Sequence, residues 1–349
     1  MIALSYRLIK ELIMKTMRIW FGCVLGLAIS MIFGWSYGFF AALLPIMVLM
    51  KAERWNLSLL VQLILGIIWV TVQVTFISGF LQPYPVLMTI AVGIMLMAKC
   101  KAMINPKTYL FGFTGLLVGS IALNFASYTG FDLEEFNITL WMSGLITAPI
   151  CALAYFLFPE PKTEQTAPSI NNDTQRVDHI GMIRQTALGW LVAMVAFLLF
   201  QFGDLSDSLS AQASIFIVLA PMTLIGSMAV AKIRITGTFL GCLAGMIIQL
   251  GLYSWVNNGI LFLMAYAIAA GFFCHWIAQG TIKSSIAFSA MSALTVPLTT
   301  SLIPEQKDAF FSILYRFSSI FIAVVATSIV IWITHHFLIR VIKAPNEQF

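Results

Sequence analysis

The chain predicts an all-α polytopic membrane protein of about twelve transmembrane helices, arranged as two parallel six-helix repeats. Three observations lead there. Of its 349 residues, 60% are hydrophobic and only 9% charged, with a mean hydropathy of +0.95, more apolar surface than a water-soluble core can hide. Apolar stretches recur at bilayer-crossing length, and none alternates as a membrane barrel strand would. The pattern also occurs twice. Arg18 opens one set and Arg184 the other; each is followed by a proline-bearing span (Pro45, Pro221), then by a basic turn (Lys51 and Arg54; Lys232 and Arg234), and later by Lys107 and Lys283 before each fifth span. Duplicated bundles of this kind are common in transporters, whose sites lie between the copies.

Taken in order, residues 1–17 carry Arg7, Lys10 and Lys15 in an apolar context and read as a basic interfacial helix. The first repeat, 18–158, holds spans at 18–34, 36–50, 57–79, 85–98, 108–127 and 138–158. A polar stretch at 159–183 reads as a tether. The second repeat, 184–343, holds spans at 184–202, 212–230, 235–255, 259–277, 283–302 and 309–338. An even number of spans per copy makes both copies enter from the same side. With cytoplasmic N- and C-termini, seventeen of the nineteen Lys and Arg fall inside, and only Lys307 and Arg316 outside, while Asp132, Glu134, Glu135, Asp204, Asp207, Glu305 and Asp308 fall outside. The same distribution accounts for the net charge of +5 without nucleic acid.

Five cysteines (Cys23, Cys100, Cys151, Cys242, Cys274) lie in or beside spans with no paired spacing, so they read as packing residues. His335 and His336 point about 100° apart on a helix and have no partner spaced to complete a metal site. His275 sits near an inner boundary. No metal and no cofactor is expected, and no nucleophile, base and oxyanion set gathers on one face, so the chain is not read as an enzyme.

Arg316 is the first candidate site residue, about seven residues into the last span, where a cation is costly and faces a cavity or a partner. Two readings stay open: a counter-charge for an anionic substrate, or an ion pair with an outer acid such as Asp308 or Glu305. Pro45 and Pro221 break corresponding helices, a pointer to a substrate site, though proline is also ordinary in membrane helices. Gln62 and Gln249 could donate to a substrate or between helices. Gly237, Gly241 and Gly245, spaced by four, are read as a packing face. Arg18, Arg54, Lys107, Arg184, Arg234 and Lys283 are read as an anion-attracting set at the cytoplasmic mouths. No Asp or Glu lies within an apolar core.

The run from Arg234 to Gly245, with Pro221 before it, the Arg18 and Arg184 openings and Arg316 early in the last helix, resembles the fusaric-acid-resistance (FUSC) and aromatic acid exporter superfamily, as a compact subfamily lacking the large cytoplasmic domain. The resemblance covers most of the chain. It implies a bacterial inner-membrane efflux permease for small organic, including aromatic, anions, often working with a periplasmic adaptor protein. Alternatives are a passive anion channel and a non-transporting scaffold subunit of an envelope complex. Membrane lipid surrounds the protein in each case; a monomer or a homodimer fits.

Overall fold

The computed structural model describes residues 2–51, 55–128, 131–159, 179–203, 209–252, 258–300 and 309–342. Among them are twelve α-helices and no strand: α1 (Ile2–Ile32), α2 (Phe39–Lys51), α3 (Leu57–Leu81), α4 (Pro85–Ile104), α5 (Tyr109–Phe125), α6 (Leu133–Leu157), α7 (His179–Gly203), α8 (Leu209–Leu219), α9 (Leu224–Leu252), α10 (Gly259–Ala278), α11 (Thr281–Thr300) and α12 (Ala309–Val341). Eight of these helices are long and apolar enough to cross a membrane. The protein is a helical, multi-pass membrane protein.

The helices differ in apolar length, as the fifteen-residue span expected at 36–50 implies. Three helices are short and apolar, Phe39–Lys51, Tyr109–Phe125 and Leu209–Leu219, and α11 is twenty residues long with its described apolar run at Ile282–Val296. At 1.5 Å per residue, α2 reaches about 20 Å and α8 about 17 Å, well under a hydrocarbon core of about 30 Å. These four are the second and fifth helices of each half, and they meet each other: α2 packs on α11 and α8 on α5. The long helices pair around them, α1 with α10 and α7 with α4. Within the halves, α3 lies on α5 as α9 lies on α11, and α2 on α6 as α8 on α12.

Two tryptophans tie the halves. Trp20 Nε1 of α1 donates to the Ala267 carbonyl of α10 at 2.7 Å, and Trp190 Nε1 of α7 donates to the Gly93 carbonyl of α4 at 2.9 Å. Each half is also closed on itself. Arg18 donates to the Phe158 carbonyl just past α6, through Nε at 3.2 Å and Nη2 at 2.9 Å. Arg184 holds the Ile342 carbonyl just past α12 in the same way. Both satisfy a carbonyl that the end of a helix leaves open, with a cation where the helix dipole is negative.

Local sequence explains the breaks. Pro45 lies inside α2 and has no N–H for the Ala41 carbonyl. Gly26 of α1 fills the resulting approach: a Cβ there would sit 1.9 Å from that oxygen. Pro221 acts differently. It stops α8 at Leu219, Met222 takes φ +50, and Thr223 Oγ1 accepts from the Gly226 amide at 3.3 Å as α9 begins. The second span of the second half therefore ends eleven residues earlier than the 230 expected, and Lys232 and Arg234 lie inside α9 rather than in a basic turn. The span expected at 85–98 leaves Lys99 just outside it. Lys99 lies inside α4, which continues to Ile104, and its side chain is 3% exposed, its Nζ 4.6 Å from the centre of the Phe111 ring and its chain against Gly115. Residues 2–32 form one continuous helix, so the segment read as interfacial runs straight into the first span.

Ser36 donates to Glu135, and Tyr37 packs edge-on against Phe136, fastening the α1–α2 turn to the start of α6. Burial, then the nearby Glu135 and Asp132, push the Tyr37 phenol above its ordinary range. All five cysteines are free and buried.

Candidate functional site

A cavity of about 180 Å³ opens where α2, α5, α8 and α11 converge. The α2 helix contributes Phe40 and Met47 to its wall, α5 Phe113 and Thr114, α8 Ser210 and Ile217, and α11 Phe288 and Ser292. Leu63 of α3, Leu140 of α6, Arg234 of α9 and Arg316 of α12 complete it, whereas α1, α4, α7 and α10 supply no wall. Both halves thus build one chamber, mostly apolar and aromatic, and among the described residues its charged lining side chains are two arginines.

Arg234 is 5% exposed and is held from two sides. Its Nε donates to Ser214 Oγ of α8 at 3.1 Å, and its Nη1 donates to Ser289 Oγ at 3.1 Å and Ser292 Oγ at 2.8 Å, both on α11. Neutral hydroxyls orient a guanidinium without cancelling its charge. The α9–α11 approach that makes these bonds depends on glycine: a Cβ on Gly237 would lie 2.5 Å from the Ile286 carbonyl oxygen, and one on Gly241 2.2 Å from that of Ala290. Gly245 makes ordinary contact with Ile313 and Leu294.

Arg316 enters from α12. Its Nη1 is buried with no hydrogen-bond partner. Phe239 of α9 packs on Phe317 of α12 with ring centroids 5.9 Å apart, which sets Arg316 near the level of Phe239. Arg234 lies five residues from Phe239 along α9, roughly 7.5 Å at 1.5 Å per residue. The two cations are rooted at different depths of one chamber. Thr114 Oγ1, also lining it, is buried without a partner.

The other candidates lie elsewhere. Pro45 itself turns toward Gly22 of α1, while its neighbours Leu43, Leu44 and Met47 line the chamber. Pro221 stands beside Gly226. Gln62 and Gln249 are not in the wall, and Gln249 Oε1 is buried without a partner. Of the residues read as attracting anions at the mouths, Arg18 and Arg184 are occupied as helix clasps, Arg18 also lying 4.3 Å over the Tyr155 ring. Arg234 belongs to the chamber. Lys107 is exposed in the turn before α5, Lys283 is exposed with Nζ 3.3 Å from Gln279 Oε1, and Arg54 lies outside the described residues. So do Asp204, Asp207, Glu305, Asp308 and most of the 159–183 tether. Among the described residues, no three His, Cys, Asp or Glu gather as a metal site.

One family profile, described as a protein of unknown function (DUF2955), matches residues 15–154. That stretch is close to the first six helices. No curated protein and no solved structure matches the chain.

Proposed function

We propose that this protein is a bacterial inner-membrane efflux permease for small organic anions, including aromatic ones. The observation that carries the reading is the pair Arg234 and Arg316, two cations facing one chamber whose described wall residues include no carboxylate. A guanidinium is expensive to bury unpaired in a membrane bundle and is retained where it meets an anion. The apolar walls suit an organic body, as ligand sites usually combine a greasy lining with few polar anchors.

Twelve helices in two same-facing sextets support a carrier built around a pseudo-two-fold axis along the membrane normal. The corresponding packing pairs and the matched Trp20 and Trp190 links favour that arrangement, and the family profile ends where the first sextet ends. The charge split supports cytoplasmic termini. The likeness to the FUSC and aromatic acid exporter superfamily favours outward transport with a periplasmic adaptor.

The test is efflux of hydroxylated aromatic acids from proteoliposomes by wild type and Arg316→Ala. Loss of anion flux in the variant supports the reading, and unchanged flux removes Arg316 from it. A passive anion channel is the second reading, favoured by the lack of Asp or Glu in the apolar cores. Flux that survives collapse of the proton gradient and reverses with voltage alone selects the channel. Liposomes with no substrate-dependent flux under any gradient select a scaffold role.

A further inference from the structure

The geometry points to a dicarboxylate with an apolar skeleton as the occupant of the chamber, each carboxylate held by one arginine. This rests on the export reading and narrows it. Among the described residues two cations line the wall and no acid does, so a bound monoanion leaves one guanidinium uncompensated in a low-dielectric chamber. A dianion neutralises both. The arginines are rooted on different helices, α9 and α12, and Arg234 lies roughly 7.5 Å along α9 from the Phe239 that packs on Phe317, the neighbour of Arg316. Separate roots favour two anionic groups on a carbon frame over two charges on one centre.

The donors fit the same division. Arg234 is pre-oriented by Ser214, Ser289 and Ser292, so its fork is fixed before a ligand arrives. Arg316 keeps a buried Nη1 with no partner, an open donor that a second carboxylate satisfies. Thr114 Oγ1 and Ser210 add neutral polar atoms to the wall, and Phe40, Phe113 and Phe288 supply the apolar surface for the frame. At about 180 Å³ the chamber is smaller than drug-sized pockets of about 300–1,000 Å³, which restricts the frame to a few carbons or one ring.

The experiment uses the purified full-length protein and matched pairs at pH 7: hexanoate against adipate, and benzoate against terephthalate, with inorganic phosphate as the single-centre control. Binding is measured by calorimetry and movement by proteoliposome counterflow. Wild type is expected to prefer each dicarboxylate over its partner by about tenfold or more, the worth of one charge-assisted bond pair, and over phosphate by a similar factor. Arg316→Gln is expected to abolish that preference by weakening the dicarboxylates about tenfold more than the monocarboxylates. Arg316→Lys, which keeps the charge, retains a preference and shows that the site still folds. Equal affinity for the members of each pair in wild type, an equal loss for both in Arg316→Gln, or tighter phosphate than adipate overturns the assignment while the export reading stands. Absence of binding and movement for every anion overturns both.

Discussion

Replacing Arg316 or Arg234 by methionine separates a site kept for function from one kept for stability. Arg234 makes three hydrogen bonds to serine hydroxyls, at 3.1, 3.1 and 2.8 Å. None of those hydroxyls is orphaned when the guanidinium goes. Ser214 Oγ still donates to the Ser210 carbonyl at 2.7 Å, Ser289 Oγ to the residue 234 carbonyl at 3.3 Å, and Ser292 Oγ to the Ser289 carbonyl at 2.8 Å. Against the lost bonds stands the release of a cation with no carboxylate in the chamber wall, a burial worth several kcal/mol of penalty. The two nearly cancel, and Arg234→Met is expected to change stability by no more than about 1 kcal/mol.

At Arg316 less is lost, because Nη1 has no partner, and Arg316→Met is expected to stabilise by about 1–3 kcal/mol. For a chain of this size that is a rise in Tm of about 1–4 °C. The assay is thermal unfolding of detergent-purified protein, paired with anion binding on the same samples. Both variants should lose binding by about tenfold or more while unfolding at or above the wild-type temperature. If both unfold well below wild type and bind anions normally, the arginines are structural and the reasoning fails.

Further outcomes follow from the packing. Gly241→Val drives a side chain into the Ala290 carbonyl and should cost at least about 1–3 kcal/mol, read as a lower Tm together with weakened anion binding, since two of the serines that orient Arg234, Ser289 and Ser292, sit on the displaced helix. Trp20→Phe removes one 2.7 Å bond between the halves and should cost about 1 kcal/mol, measurable as a small Tm drop with flux retained. Arg18→Gln loosens the end of α6 and should cost about 1.5–3 kcal/mol, seen as faster proteolysis near residue 158 with the anion preference unchanged, because the clasp is remote from the chamber.

Much of the architecture was legible from elementary signals. Length and apolarity marked the spans, and Arg316 stood out because a cation seven residues into a span is rarely idle. Arg234 was misplaced for a local reason. Pro221 was read as a kink within a span, whereas the X-Pro-Met-Thr sequence ends one helix and begins the next, with Thr223 as the starting cap; that signal was available. Lys99 falls outside the expected 85–98 span because its charge ends an apolar run, although Gly115 on the neighbouring helix leaves room for its side chain. The clasps of Arg18 and Arg184 and the Trp20 and Trp190 links depend on which helices meet, which span lengths do not specify. The chamber was hidden for the same reason: its wall comes from short helices of both halves, and their convergence is a property of the packed bundle.

The most direct measurement is an anomalous-scattering or cryo-EM map of the protein soaked with a bromine-substituted terephthalate. The account predicts the halogen signal inside the chamber, beside Phe40, Phe113 and Phe288, with one carboxylate within hydrogen-bond reach of Arg316 Nη1 and the other at Arg234. A saturating soak that leaves the chamber empty, or that places the signal only on the lipid-facing surface, contradicts it.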